Sequence, residues 1–164
     1  MSENRGEIRI RKMYKGDLFA LNDMDQAITS KGRVTTWPFS FETYWRVYEP
    51  KLVYVAELDG KVCGVLSGYI EQEERSKYLI RQPHEIGTSV HERKIGWIEL
   101  MGIMPEYWHR GIGARLVEAF REECKKNNAT MRIIIREDDK DLARFLEGVN
   151  FKKSPLVTYE DTSF

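Results

Sequence analysis

The sequence predicts an α/β (α+β) fold with a mixed, mostly antiparallel sheet and helices on both of its faces. Two apolar runs, residues 52–58 and 62–70, flank Asp59-Gly60, a dipeptide typical of a tight β-hairpin turn. Elsewhere, segments with apolar residues at helical spacing alternate with short apolar runs. One such run, residues 95–103, leads through a glycine-containing turn into a helix. These patterns indicate a single α/β domain over residues 1–164.

The first third of the chain supplies a strand and two helices. Isoleucines that alternate with arginines predict a strand at residues 8–13. Asp17 can cap a helix whose apolar residues recur at helical spacing, and Lys31-Gly32 ends it. A second, shorter helix is expected to begin at Ser40 and to stop before Pro50.

The last third alternates helices with strands. Gly111 opens a helix with an apolar stripe, and Asn127-Asn128 ends it. Residues 131–135 form a short apolar run, typical of a strand buried on both faces. Asp138 or Asp139 caps a further helix, and residues 151–159 are expected to form a last strand with a break at Ser154-Pro155.

Composition excludes several classes of function. The 26 basic and 26 acidic residues give zero net charge, so nothing indicates nucleic acid or an acidic membrane as a partner. No stretch approaches the roughly 20 apolar residues of a membrane-spanning helix, and the polar start of the chain lacks the apolar core of a signal peptide. Cys63 and Cys124 are expected to be buried free thiols, and the scattered histidines predict no metal site. A cytoplasmic protein fits these features.

The turn that follows residues 95–103 carries the most specific chemistry in the sequence. A helix start presents unpaired N–H groups and the positive end of the helix dipole, so it suits an anion. Gly111 and Gly113 lack side chains that would keep phosphate oxygens away from those amides. Arg110 adds a fixed positive charge. The turn therefore predicts a phosphate or pyrophosphate site, with a merely tight chain reversal as the alternative.

Two familiar phosphate-binding folds fit this turn less well than a third. A P-loop would need Gly-Lys-Ser/Thr, which is absent. A dinucleotide-binding fold would have a third glycine at Leu116 and a long series of strand–helix units after it; Glu137 matches its ribose-binding acid only in part.

The segment instead resembles the acetyl-CoA-binding motif of the GNAT N-acetyltransferases, in which an apolar strand and a proline precede a Gln/Arg-x-x-Gly-x-Gly/Ala turn and a helix. The sharpest match runs from Pro105 to Leu116, with Trp108 in place of the usual Gln or Arg. Residues 145–151 resemble a later segment of the family, Phe-Tyr-Glu-Lys-x-Gly-Phe. The resemblance implies a GNAT-like twisted sheet with a splayed central strand pair.

The resemblance also implies acetyl-CoA as the acyl donor, without a metal. In the family, the strand before the turn pairs through its backbone with the pantetheine arm, which would lie along Met101, Gly102 and Ile103. Asp139 falls where a family asparagine often contacts the cofactor, although a helix cap explains it at least as well. The pyrophosphate would contact the amides of the turn, those of His109, Arg110, Gly111, Ile112, Gly113 and Ala114.

Glu99 is the candidate catalytic residue. It is the one carboxylate in the apolar strand before the turn, two residues ahead of Met101. A buried charge is costly unless it is paired, so Glu99 is expected to have a partner or to take up a proton readily. The second property suits a base that deprotonates an ammonium group, directly or through water, and several GNAT members use a glutamate there as base or amine anchor. An ion pair with an arginine, or a place at the wet edge of the sheet, is the alternative.

The general acid that the family usually supplies is missing. Its tyrosine corresponds to Leu146 in this chain. A thiol with a reference pKa of about 8.5 is a fair leaving group, so water could protonate it. Tyr159 or Tyr107 could substitute, although each is more readily explained as a packing or surface aromatic.

The resemblance implies acetyl transfer to a primary amine of a small molecule or peptide by direct attack, without an acyl-enzyme. Acetylation of a protein N-terminus or lysine is the alternative within the enzyme class. A non-catalytic acyl-CoA sensor is the alternative outside it, because of Leu146 and Trp108. The variable segments 29–48 and 71–94 are expected to wall the acceptor cleft, and a homodimer could cover the sheet edge after Phe151.

Overall fold

The computed structural model describes residues 6–31, 40–72, 94–155, 157 and 159–163. The chain divides into two compact units, residues 1–134 and residues 135–164. The first unit contains a five-stranded sheet with helices against it. The second unit contains one further helix within the described ranges.

The strands of the sheet lie side by side in chain order. The pairings between the first four strands are antiparallel, and the last pairing is parallel. This confirms the predicted mixed, mostly antiparallel sheet. In chain order the strands are β1 (Ile8–Lys12), β2 (Leu52–Leu58), β3 (Lys61–Gln72), β4 (Lys94–Ile103) and β5 (Ala129–Ile133).

The predicted hairpin joins β2 and β3. Asp59 has a φ of 50° and Gly60 a φ of 79°, so both turn residues have the left-handed backbone that a two-residue hairpin turn favours. Leu58 lies opposite Lys61 across this turn. The predicted bounds of β2 are those of the structure.

Three helices pack against the two faces of this sheet. Helices α1 (Leu18–Ser30) and α2 (Phe41–Tyr48) share one core with Val53, Val55 and Val65 of the sheet. Helix α3 (Ile112–Lys126) packs against the opposite face of the sheet, where β3 has glycines. A Cβ on one of these, Gly64, would lie 3.1 Å from Ile112 Cγ2. Because side chains alternate along a strand, helices on both faces follow, as predicted.

In the first unit Ser40 caps one helix, and the cap predicted at Asp17 is replaced by an ion pair. Ser40 Oγ accepts a 3.2 Å hydrogen bond from the Thr43 amide and caps α2. Asp17 occupies the start of α1, but its carboxylate makes no capping bond there. The prediction that Asp17 caps α1 is therefore wrong, because Arg11 and the Tyr14 amide take both of its oxygens.

The second unit contains helix α4 (Lys140–Gly148). Asp139 Oδ1 accepts a 3.0 Å hydrogen bond from the Leu142 amide, which confirms it as the cap. The residues described between 151 and 159 form no strand, so the predicted last strand is wrong there. Pro155 has no N–H to donate to a sheet, which disfavours one at that point.

Two further predictions concern β5 and the cysteines. β5 begins two residues before the predicted run and its residues are at most half-buried, so burial on both faces is wrong. Cys63 and Cys124 are both buried and free, as expected. No helix within the described ranges is long and apolar enough to cross a membrane.

Candidate active site

β4 loses its neighbour on one side part of the way along its length. The parallel pairing with β5 ends at Ile98 and Ile133, whereas β4 continues to Ile103. Beyond Ile98, β3 is the only strand paired with β4 in the described part of the sheet. β5 itself ends at Ile133, so β4 has an open edge beyond Ile98, and Met101, Gly102 and Ile103 all lie along it. Backbone groups on such an edge can pair with an extended ligand. The splayed strand pair stays a prediction from the resemblance.

A β-bulge at Glu99 interrupts the register between β3 and β4. Ser67 lies opposite Leu100 and Gly68 lies opposite Ile98, which leaves Glu99 without a partner residue on β3. A bulge re-aims the side chains of the bulged strand. Here Leu100 packs against the α1–α2 core, and Glu99 reaches a hydroxyl of that same core.

Gly68 allows the two strands to approach each other at the bulge. A Cβ at this position would overlap the carbonyl oxygen of Trp97 and would lie 2.8 Å from the Phe120 ring. Only glycine avoids both contacts, so the bulge and the direction of Glu99 depend on this residue.

Glu99 has a buried hydrogen-bond partner. The Tyr44 hydroxyl donates to Glu99 Oε2 over 2.7 Å, and it lies 2.6 Å from Ser67 Oγ. Tyr44 and Ser67 are both fully buried. Burial raises the pKa of Tyr44 well above its ordinary value; the hydrogen bond from Ser67 opposes this rise and the one to Glu99 adds to it. The expected partner of Glu99 is therefore a tyrosine that stays protonated, rather than an arginine.

Two aromatic residues and a second carboxylate flank Glu99. Trp97 Nε1 donates a 2.8 Å hydrogen bond to Glu71 Oε1. Tyr69 lies opposite Trp97 on β3 and is 37% exposed. Partial burial raises the pKa of Tyr69, and the charges of Glu71 and Glu99 contribute to the rise. The surface next to Glu99 is therefore both aromatic and acidic.

The turn after β4 is fixed to the strand by a side chain. Trp108 Nε1 donates to the Ile103 carbonyl over 2.8 Å. The Arg110 guanidinium lies over the Tyr107 ring, 5.3 Å from its centroid. His109 has a φ of 63° and Gly111 a φ of 78°, so the chain turns through two left-handed residues. Histidine is one of the few non-glycine residues that adopt this conformation with any frequency.

The start of α3 presents free backbone donors. The first bond that closes a helical turn runs from the Arg115 amide to the Gly111 carbonyl at 3.3 Å, and the amides immediately before Arg115 have no intrahelical acceptor. His109, Arg110 and Gly111 are exposed, Ala114 is half-buried, and Ile112 and Gly113 are buried. A Cβ on Gly111 would meet no atom within 4 Å, so only its backbone conformation requires glycine. The arrangement suits an anion.

Of four further predicted residues, three belong to the second unit and one lies beside Arg110. Asp139 belongs to the second unit, where its carboxylate caps α4. Leu146 is buried in that unit, and Tyr159 is 94% exposed. Tyr107 is half-buried beside Arg110. No group of residues suited to a metal ion occurs in the described part of the chain.

Sequence reasoning missed the role of Tyr44. Tyr44 lies in segment 29–48, which was expected only to wall the acceptor cleft, and its ring packs against Phe41 and Tyr48. The hydroxyl has a second role toward Glu99 that no local pattern reveals. The available signal was Ser67, a hydroxyl inside the otherwise apolar run 62–70.

Solved structures with a similar fold include several acetyltransferases. The structure is similar to that of aminoglycoside antibiotic 6'-N-acetyltransferase AAC(6')-Ih from Acinetobacter baumannii, with 14% identity over 96% of this chain and 99% of that one and a TM-score of 0.69. It is also similar to the ribosomal-protein-S18-alanine N-acetyltransferase from Escherichia coli, with 17% identity over 90% of this chain and 79% of that one and a TM-score of 0.63.

A third similar structure is AAC(6')-Iy in complex with the bisubstrate analog CoA-S-monomethyl-acetylneamine, with 14% identity over 96% of this chain and 99% of that one and a TM-score of 0.67. Sequence identities this low show that these proteins share the fold and nothing more. No curated protein matches the chain significantly in sequence. The sequence profile of the acetyltransferase (GNAT) family, however, matches residues 19–151. The chain therefore belongs to the GNAT family of acetyltransferases.

Proposed function

We propose that this acetyltransferase transfers an acetyl group from acetyl-CoA to a primary amine of a small molecule or peptide, with residues 1–164 acting as one domain. The observation that carries the proposal is the continuity of the open edge of β4 with the free amides at the start of α3. An extended arm that ends in a diphosphate fits such a surface, because strand-like pairing and an anion site follow each other along the chain.

The pantetheine arm is assigned to the backbone of Met101, Gly102 and Ile103. One lone pair of the Ile103 carbonyl is already used by Trp108, and a carbonyl oxygen has a second. The pyrophosphate is assigned to the amides from His109 to Ala114, with the charge of Arg110 nearby. A contact of Asp139 with the cofactor stays a prediction from the resemblance.

The reaction proposed is a direct attack on the thioester. The amine nitrogen forms a bond to the acetyl carbon, the carbon–sulfur bond breaks, and the CoA sulfur takes up a proton. Glu99 accepts the proton that the attacking nitrogen loses, and water supplies the one that the sulfur gains. Burial raises the pKa of Cys63, and raises that of Cys124 to about 11. Thiols held protonated are poor nucleophiles, which supports a mechanism without an acyl-enzyme.

The acceptor is proposed by class only. The names of the similar structures specify aminoglycosides and a ribosomal-protein alanine, both of them amines. Acetylation of a protein N-terminus or lysine is therefore the second candidate. Residues 32–39 and 73–93, which contain most of the predicted acceptor walls, lie outside the described residues.

The test is release of free thiol from acetyl-CoA in the presence of a panel of amines and peptides, with CoA binding measured by calorimetry. We expect release above the hydrolysis background with at least one amine, matched by one acetyl group gained per thiol in mass spectrometry. Binding of acetyl-CoA without release across the panel would favour a sensor instead. Absence of affinity for CoA would overturn the assignment of the donor site.

A further inference from the structure

The hydrogen bond between Tyr44 and Glu99 joins helix α2 to the bulge in β4. The two residues are 55 positions apart in sequence. A carboxylate without its proton can only accept hydrogen bonds, so the single Tyr44 proton points at Glu99. The Tyr44 oxygen then accepts a hydrogen bond, and Ser67, 2.6 Å away, is the donor. The three side chains form a directed chain from Ser67 through Tyr44 to Glu99.

We propose that Tyr44 is a positioning residue for catalysis: its hydroxyl, oriented by Ser67, holds the Glu99 carboxylate in the direction in which it receives a proton from the acceptor amine. The inference rests on the proposed function, since it needs Glu99 to act as the base. Tyr44 and Ser67 are fully buried, so neither touches the acceptor and both act only through Glu99.

Burial explains why this hydroxyl pair is not an ordinary packing contact. Phenylalanine and alanine would pack in the same space without a polar group that has to be satisfied. Here a fully buried tyrosine hydroxyl instead donates its one hydrogen bond to a half-buried carboxylate. A hydrogen bond to a charged group is stronger than one between neutral groups, and it fixes the direction of the acceptor.

Among the described residues, other ionisable groups near the three hydrogen-bonded side chains lie on α2 and β3. Tyr48 lies on α2, with its ring 5.6 Å from that of Tyr44. Tyr69 and Glu71 lie on β3, and Tyr69 interacts electrostatically with both Glu71 and Glu99. Tyr44→Phe leaves these groups in place, so a change in the activity or the carboxyl resonance of Glu99 can be assigned to the lost hydroxyl.

The test compares Tyr44→Phe with Tyr54→Phe. Tyr54 is a buried tyrosine whose hydroxyl donates to Glu123 Oε2 over 3.3 Å, so it loses the same kind of bond. In Tyr44→Phe, kcat should fall by about tenfold or more while the Kd for CoA changes less than twofold, because a carboxylate without its donor is no longer held in one direction. In Tyr54→Phe neither quantity should change. Equal kcat values for the two variants would overturn the proposal.

A second measurement follows the carboxylate without turnover. In protein labelled with ¹³C at the glutamate carboxyl groups, the Glu99 resonance is the one missing from Glu99→Gln. Its chemical shift at neutral pH should change in Tyr44→Phe and, less strongly, in Ser67→Ala, a variant that keeps the tyrosine if Tyr44→Phe does not fold, because the carboxylate loses or changes its hydrogen bond. An unchanged chemical shift in both variants would contradict the proposal.

A double variant separates the two possible failures. If Tyr44 acts through Glu99, Tyr44→Phe should change turnover by less than about twofold in the Glu99→Gln background. A full independent loss there would show that Tyr44 does not act through Glu99, while acetyl transfer itself stands. Unchanged turnover in Glu99→Gln alone would remove Glu99 as the base and this proposal with it, although acetyl transfer by another group would remain.

Discussion

Trp108 donates its indole N–H to the carbonyl oxygen of Ile103 over 2.8 Å. The bond runs from the turn back to the last residue of β4, and it therefore joins the two segments assigned to the pantetheine and the pyrophosphate. By resemblance to the family, Trp108 is a departure, because a glutamine or an arginine is usual at that place. The structure gives the tryptophan a role of its own, which is to fix the turn to the strand.

Trp108→Phe tests this role. The variant keeps an aromatic ring and leaves the Ile103 carbonyl without its donor, so the free energy of unfolding should fall by about 1 kcal/mol. The KM for acetyl-CoA and the Kd for CoA should rise several-fold, while kcat changes little, because the bond positions the donor site and not the base. Urea unfolding measures the free energy of unfolding, calorimetry the Kd, and steady-state kinetics the KM and kcat.

The matched control for Trp108→Phe is Trp97→Phe. The Trp97→Phe variant also loses a 2.8 Å indole hydrogen bond, here to Glu71, but on the part of β4 that still pairs with β5. The CoA affinity of this variant should equal that of the unchanged protein. Equal weakening of CoA binding in both variants would show a general effect of destabilising β4.

Gly111→Ala tests the anion site against a control with nearly the same geometry. Gly111 has a φ of 78° and Gly60 a φ of 79°, and a Cβ on either would meet no atom within 4 Å. Each alanine should therefore cost about 1 kcal/mol of stability, from backbone strain alone. Only Gly111→Ala should also weaken CoA binding, by about tenfold or more, measured by calorimetry. The same CoA affinity in Gly111→Ala and Gly60→Ala would rule out the turn as the pyrophosphate site.

Glu99→Gln tests the base. We expect kcat to fall by about a hundredfold, as is usual when a general base is removed, while the Kd for CoA changes less than twofold. The amide keeps the shape of the side chain and can still accept from Tyr44, so the loss measures proton transfer. Glu123→Gln is the control, because Glu123 is a half-buried glutamate that also accepts from a tyrosine. If the two variants turn over equally fast, Glu99 is not the base.

Asp17 belongs to an ion-pair network that stabilises the first unit. Arg11 Nη1 and Nη2 lie 2.8 and 2.9 Å from the two Asp17 oxygens, and Arg11 Nε lies 2.8 Å from Glu57. The Asp17 side chain is 4% exposed. Burial on its own would raise the pKa of Asp17, but the hydrogen bonds from Arg11 and the Tyr14 amide outweigh it and hold the pKa below its ordinary value.

Asp17→Asn should therefore lower the free energy of unfolding by about 3 kcal/mol, since it leaves Arg11 without its bidentate partner. Because the pKa is lower in the folded protein, this contribution is complete above the unfolded value of about 3.9 and is lost as the pH falls through the folded value. Urea unfolding between pH 3 and 7 should show this acid-dependent part in the unchanged protein and not in the variant. Asp138→Asn, which breaks the exposed pair with Arg136, should have no measurable effect on stability. Equal effects of the two substitutions would contradict the assigned role of the buried pair.

Local patterns predicted most elements and failed where distant residues compete. The run 52–58 and the Asp59-Gly60 turn carry their own periodicity and turn chemistry, so β2 and its hairpin follow from adjacent residues. Asp17 looked like a cap because a short acidic residue precedes an amphipathic helix. Arg11, on a neighbouring strand, binds it more strongly than an amide of α1 would. The predicted strand at 151–159 is absent from the described residues there. A pattern along one segment cannot show whether an adjacent strand is available for pairing.

By itself the sequence determined the mixed α/β fold, the glycine-containing turn that we propose as the anion site, and the identity of Glu99 as the carboxylate to examine. These depend on spacings within a few residues, where backbone geometry dictates the outcome. Only the tertiary structure decided what Glu99 faces. The bulge opposite Gly68 turns that carboxylate toward helix α2, and the Tyr44 and Ser67 hydroxyls meet it from segments that are distant in sequence. Such a contact depends on how the chain packs, and packing brings together residues that share no local pattern.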